Sequence, residues 1–336
     1  MTTSSPNSNG SQSITIGGVA IAPGKRLRLD IPVAKLPTQT PMSLPVTVIN
    51  GKQEGPRLWL SAAIHGDEIN GVEIIRQVLA TLSPQTLKGM LIAVPVVNIF
   101  GFIGQSRYLP DRRDLNRSFP GSPRGSLASL LAHLFMNEVV AHCTHGIDLH
   151  TAAIHRCNLP QIRANLNDDE TLACAKAFGA PLMIHAATRD GSLRQAASQR
   201  GIPVLLYEAG EALRFDADSI QTGVAGVLRV MTHLEMIVSR EEKITQMPSI
   251  EARSTKWVRA SRSGLLHLDT ELGQSVAKKH CLGVIRDVFG DQSVKVLAPQ
   301  SGIVIGHTQN PFVNRGDAIV HIASADNEQL SLPPEA

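Results

Sequence analysis

The chain has 336 residues, of which 43% are apolar and 18% charged. That balance gives room for about two globular domains and excludes disorder along the whole length. Basic and acidic residues number 32 and 29, leaving a net charge of +3, and aromatics make up only 4%. Neither an electrostatic footprint nor a base-stacking surface for nucleic acid is expected.

The first 12 residues are rich in Ser, Asn and Thr and lack the apolar stretch of a secretory signal, so a disordered polar tail is expected over 1–12. Strands are predicted over 13–21, 27–36 and 44–49, with Asn50-Gly51 as a turn. The apolar run 57–64 (RLWLSAAI) reads as a buried strand. It ends at His65-Gly66-Asp67-Glu68, and a helix with Val72, Ile75 and Leu79 on one face follows over 71–82. A strand over 89–97 ends at Asn98, a helix covers 127–142, and a short strand over 146–149 ends at His150. Helix 171–178 stops at Gly179, strand 182–185 follows, and helix 192–200 stops at Gly201. Strand 203–207 ends at Glu208, and a long helix covers 220–238.

This alternation predicts an α/β fold, a central sheet with helices on both faces. Ligands in such folds bind beyond the carboxyl ends of the strands. His65, Asn98, His150 and Glu208 each fall just past a predicted strand end, which points to one site. From about residue 244 the texture changes. A linker over 245–255 leads into short glycine-punctuated strands at 256–260, 264–267, 283–287, 293–299, 302–305 and 318–322. We expect an α/β domain over 13–245 and a small all-β C-terminal domain over 250–326. No run of about 18 uninterrupted apolar residues exists, so no membrane-spanning helix is expected. The cysteines at 143, 157, 174 and 281 form no CxxC pair; they read as thiols of a reducing cytosol, which predicts a cytoplasmic protein.

His65 and Glu68, leaving a strand on a glycine turn, can reach one cation, and His150, 82 residues after Glu68, is the candidate third ligand. Two imidazoles and one carboxylate leave the open coordination position that a hydrolytic zinc needs. The alternative is a loop histidine and an acid that favours a helix N-terminus. Asn116 and Arg117, in Asp114-Leu-Asn-Arg117, can hold a substrate carboxylate; the alternative is a solvated turn with a helix cap. Glu208 directly follows a buried strand and suits a general base, or else a salt bridge at the sheet edge. His155, Arg156 and Arg163 can line a substrate pocket, or pack as loop residues.

Together, His65-xx-Glu68, Asp114-Leu-Asn-Arg117, Asp148-Leu-His150 and Glu208 resemble the signature of the succinylglutamate desuccinylase/aspartoacylase family over about residues 40–240. The resemblance implies a zinc carboxypeptidase-like mixed sheet and one Zn²⁺ per chain on His65, Glu68 and His150. It implies Glu208 as the general base and then proton donor. Asn116 and Arg117 would grip the amino-acid carboxylate, Arg107 would polarise the scissile carbonyl, and Asp114 would orient His65. The connection between Tyr108 and Asp114 is longer than in aspartoacylase itself, which leaves Arg112 and Arg113 as alternatives to Arg107. Residues 293–322 are similar to half of a biotinyl/lipoyl-like barrel without the carrier lysine, and read as a cap or an oligomerisation module.

The expected activity is zinc-dependent hydrolysis of the amide of a small N-acyl amino acid or related amine. Arg156 and Arg163 are candidate substrate contacts. A metallocarboxypeptidase acting on a peptide, and a non-catalytic metal- or ligand-binding module, are the alternatives. A small-molecule N-acyl substrate is the expected partner, with no nucleic acid and no membrane. The edge-rich β region is a candidate contact for a homo-oligomer.

Overall fold

A computed structural model describes residues 11–238 and 249–324. The first ten residues of the expected tail, the start of the expected linker at 245–248, and the end of the expected β domain at 325–326 lie outside the described residues.

The chain opens with a small hairpin of strands Ile14–Ile16 and Val19–Ile21. The main sheet then runs, in spatial order, through Lys25–Lys35, Pro41–Asn50, Lys88–Val94, Gln53–Ala62, His145–Ala152, Val204–Glu211 and Arg156–Ala164. Strands Lys88–Val94, Gln53–Ala62, His145–Ala152 and Val204–Glu211 are mutually parallel, and the strands flanking this group are antiparallel to it. The sheet is mixed α/β with helices on both faces, as expected.

Side-chain alternation explains the layers. Leu58, Leu60 and Ala62 point to a core shared with Ile147, Leu149, Leu205 and Tyr207 and with helices Asn70–Thr81, Asp169–Phe178 and Ala217–His233. Trp59, Met90 and Ile92 point the other way, to a core shared with helices Leu127–Glu138 and Leu193–Ser198. A strand covered on both faces reads as a continuous apolar run, which is why RLWLSAAI shows no polar alternation.

Strand Arg156–Ala164 was not expected, because Pro160 argues against a strand interior. The structure puts Pro160 where the missing N–H costs nothing in pairing. On one side the register with Val204–Glu211 shifts between Glu208 and Gly210. On the other, the neighbour changes from Gly302–Thr308, beside Arg156–Asn158, to Leu182–His185, beside Gln161–Ala164.

That fork joins the C-terminal β region to the main sheet. Gly302–Thr308 continues into Ala318–Ala323 and then Thr255–Arg259. A separate antiparallel sheet of Ser293–Leu297, Cys281–Arg286, Gly264–Leu268 and Phe312–Val313 packs with them around its own core, which includes Val258, Leu282, Val304 and Ile322. Strand Ile250–Ala252, inside the expected linker, extends the other branch beside Leu182–His185. Among the described residues no helix is long and apolar enough to cross a membrane.

Candidate metal centre and cleft

Sheet register assembles the floor of a cleft. His150 lies opposite Glu208, Asp148 opposite Leu206, and Ser61 opposite Asp148. Ile147 and Leu149 alternate with Asp148 and His150, so burying the first pair in the core turns the second pair to the cleft side. His150 and Glu208 are therefore paired strand residues rather than loop residues just past a strand end: both strands run on to residues 152 and 211.

His65 and Glu68 arrive on the turn after strand Gln53–Ala62. The chain leaves that strand through Ala63 at φ +50, a left-handed conformation that costs an alanine about 1–2 kcal/mol. The Ala63 carbonyl accepts the Asn98 backbone N–H at 2.9 Å. Gly66 packs so closely on helix Ile99–Ile103 that a Cβ would sit 2.0 Å from the Gly101 carbonyl carbon. Asn98, expected in the site, instead caps this helix: its side chain accepts from the Gly101 N–H and donates to the Arg107 carbonyl. It supports the segment that carries Arg107.

His65, Glu68 and His150 are buried, and their ligand atoms lie within 4.8 Å of one another. Nδ1 of His65 is 2.7 Å from Glu68 Oε1, and Nδ1 of His150 is 2.7 Å from Glu68 Oε2. Each imidazole is held at its other nitrogen by a second carboxylate. His65 Nε2 faces Asp114 at 3.1 Å, and His150 Nε2 faces Asp148 at 2.8 Å. Ser61 Oγ donates to Asp148 at 2.7 Å, and the Thr151 N–H donates to Glu68 at 3.2 Å. A carboxylate behind Nε2 favours the Nε2–H tautomer and leaves the Nδ1 lone pair to point inward. This donor set fits a divalent cation of the zinc type, whose ligands are imidazole nitrogens and carboxylate oxygens with second-sphere carboxylates. Another group, His145, Glu170 and Cys174, gathers at the opposite end of strand His145–Ala152, but its glutamate is half exposed.

The electrostatics follow from this crowding. Burial disfavours charge on Glu68, but the His65 and His150 charges outweigh it and hold the carboxyl well below the usual range. Burial likewise works against His150, yet Asp148 and Glu68 raise its pKa well above the ordinary imidazole value. His65 is also raised: burial opposes its charge, but Glu68 and the hydrogen bonds to Asp114 and Glu68 prevail.

The cleft, about 720 Å³, is lined by His65, Glu68, Arg107, Asn116, Arg117, His150, Arg156, Arg163 and Glu208, among others. The residues predicted to hold metal or substrate thus converge, apart from His155, and Asp114 stands behind His65. Arg107 donates to Glu68 and to Asp114, each at 3.2 Å. Arg112 and Arg113 are exposed and do not line the cleft, and Arg113 pairs with Asp111. Asn116 Oδ1 accepts the Leu193 N–H at 2.9 Å, tying the Asp114–Arg117 turn to helix Leu193–Ser198. Arg163 Nε lies 2.7 Å from Glu208 Oε2, although its N–H is not aligned for a directed hydrogen bond. His155 lines a neighbouring surface pocket instead.

Ser61, Arg189, Arg194 and Trp257 belong to the site or its support and were not singled out from the sequence, whereas Asp148 was quoted in the Asp148-Leu-His150 motif but given no role. Asp148 had a readable signal, since residues two apart on a strand share a face and it precedes His150 by two. Arg194 donates to the Ala186 and Ala187 carbonyls. Burial, then repulsion from Arg163 and Arg189, lowers its pKa to about 10, so it stays charged at neutral pH.

Fold and cluster together define a mixed α/β protein with a buried His-Glu-His centre at the floor of its cleft. The chain belongs to the succinylglutamate desuccinylase/aspartoacylase family: the family model described as Succinylglutamate desuccinylase/Aspartoacylase catalytic domain matches residues 54–234, over half of the chain. N-alpha-acetyl-L-2,4-diaminobutyric acid deacetylase of Halomonas elongata is 28% identical over 293 residues, which cover 83% of this chain and 85% of that protein. A succinylglutamate desuccinylase/aspartoacylase structure from Rhodobacter sphaeroides is 28% identical, covers 90% of this chain and 96% of its own, and superposes with a TM-score of 0.81. The product-bound ectoine utilization protein EutE (DoeB) of Ruegeria pomeroyi shares the fold, at 24% identity, with 94% and 99% coverage and a TM-score of 0.81.

Proposed function

We propose that this protein is a zinc-dependent amidohydrolase that deacylates a small N-acyl amino acid or related N-acyl amine. The observation that carries this reading is the buried His65–Glu68–His150 cluster, backed by Asp114 and Asp148 and opening into the cleft that Glu208 lines. Deacetylase activity in the Halomonas elongata relative supports it.

His65, Glu68 and His150 would hold one Zn²⁺, which when bound supplies Lewis acidity at the cleft floor. Asp114 and Asp148 keep the two imidazoles aimed. Glu208, steadied by Arg163, takes the proton of the attacking water and returns it to the departing amine nitrogen. Arg107 offers guanidinium N–H groups to the carbonyl oxygen as negative charge grows there. Asn116 and Arg117 grip the amino-acid carboxylate. The products are a carboxylate and a free amine.

The hydrolase portion is read as 13–245 and the β-rich portion as 250–326. All four cysteines are free thiols, which supports a cytoplasmic setting. The test is amine release from a panel of N-acyl amino acids by the wild type and by Glu208→Gln. The variant should bind zinc as the wild type does and lose about 10²–10⁴-fold in kcat, the range for a general base. Undiminished turnover by Glu208→Gln overturns the mechanism.

A further inference from the structure

The cleft has an aromatic wall that comes from the C-terminal β region. Trp257 lies on strand Thr255–Arg259, and His321 is its register partner on Ala318–Ala323. The two rings are stacked, with centroids 4.3 Å apart and planes at 7°. His321 is buried, and burial, assisted by the charge of Arg163, pushes its pKa down to about 3. It is a neutral plate behind the indole at neutral pH.

The Arg156 guanidinium carbon sits over the Trp257 ring, 5.2 Å from its centroid. Arg156 opens the strand that forks to the C-terminal region and lies opposite Thr308 at that seam. Both Arg156 and Trp257 line the cleft with His150 and Glu208. The arginines of the cleft fall into two groups. Arg107 and Arg163 are engaged by carboxylates and Arg117 and Arg194 by carbonyls, whereas no carboxylate among the described residues pairs with Arg156 or Arg189, and of these two it is Arg156 that lies on an aromatic ring. A guanidinium laid on an aromatic face has lost rotamer freedom in advance, and its N–H edge remains free for an anion.

We propose that Trp257 is a specificity-determining residue that acts by positioning Arg156 to receive a carboxylate of the substrate other than the one held by Asn116 and Arg117. The C-terminal β region thereby takes part in substrate selection. This rests on reading the cleft as the amide-hydrolysing site.

Trp257 also supplies its own probe. The chain has two tryptophans, and the other, Trp59, is fully buried in the core. Product-side ligands bind without turnover, so emission is titrated with two pairs that differ only in charge: glutamate against glutamine, and succinate against succinamate. In at least one pair the charged member should bind about tenfold or more tightly, the scale of one charge-assisted contact, with a change in emission that Trp257→Phe abolishes. Trp257→Phe should keep the preference for charge, Trp257→Ala should lose it, and Arg156→Gln should lose it independently of how Trp257→Ala folds. In turnover these losses should fall on KM with kcat little changed. Equal binding of charged and neutral members by the wild type overturns the proposal, as does a preference that survives Arg156→Gln. A charge preference in binding without hydrolysis of any amide would leave this proposal standing and sink the proposed activity instead.

Discussion

Replacing Asp148 by asparagine tests whether the imidazoles are aimed by the carboxylates behind them. Asp148 is fully buried, accepts from Ser61 Oγ at 2.7 Å and faces His150 Nε2 at 2.8 Å. Asparagine keeps the shape and one acceptor oxygen, and the Ser61 hydroxyl can turn to accept from the new amide, so the fold should hold. What disappears is the charge that favours Nε2–H and makes Nδ1 electron-rich. Substitutions of this kind cost about 10–100-fold in metal affinity, or ~1.4–2.7 kcal/mol. Alanine should cost more, because it leaves the His150 N–H and the Ser61 hydroxyl both unpaired in a dry site, at about 1–3 kcal/mol each. Competition against a chelating dye at neutral pH reads zinc affinity, and thermal melting reads the fold. An Asp148→Asn protein that binds zinc as tightly as the wild type would refute the reasoning.

Other outcomes follow from the same geometry. A Cβ on Gly146 would lie 2.0 Å from the Trp59 ring; Gly146→Ala should therefore lose about 1–3 kcal/mol to overpacking, seen as a melting point lower by several degrees, and an unchanged melting point contradicts that packing. Arg163→Gln should lower kcat about tenfold, the effect of losing one partly buried ion pair on Glu208, with zinc affinity unchanged; a loss of zinc instead would tie Arg163 to the metal ligands. Metal removal should have a pH signature. The raised pKa values of His65 and His150 stabilise the stripped protein below their ordinary 6.5, and that contribution is lost as pH rises through the folded-state values. Zinc needs the deprotonated nitrogens and gains with rising pH. The difference in melting point between loaded and chelated protein should widen as pH rises toward the raised folded-state values of the two imidazoles, and a constant difference argues against two titrating ligands.

Much of the centre was legible because its chemistry is local in sequence. His65 and Glu68 share one turn, Asp114 and Arg117 another, and the apolar runs before them announce buried strands. The strand ends were read short, since His150 and Glu208 are polar and break the apolar run, although both remain paired in the sheet. Strand Arg156–Ala164 stayed hidden because Pro160 counts against any strand, and only the fork explains why it is tolerated. A salt bridge was one of the two readings of Glu208, but its partner Arg163 depends on that strand and could not be anticipated. Trp257 joins the cleft through the pairing of Gly302–Thr308 with Arg156–Asn158, a contact across more than 140 residues that no local pattern encodes.

The central claim is that amide hydrolysis takes place at the His65–Glu68–His150 centre. The most direct measurement is a zinc titration of chelator-stripped protein while amine release from a responsive N-acyl amino acid is followed. The account predicts negligible release without metal, a linear rise, and a plateau at about one zinc per chain, with His150→Ala remaining flat throughout. Full-rate release in excess chelator, or activity restored in His150→Ala by the same single equivalent, would contradict it.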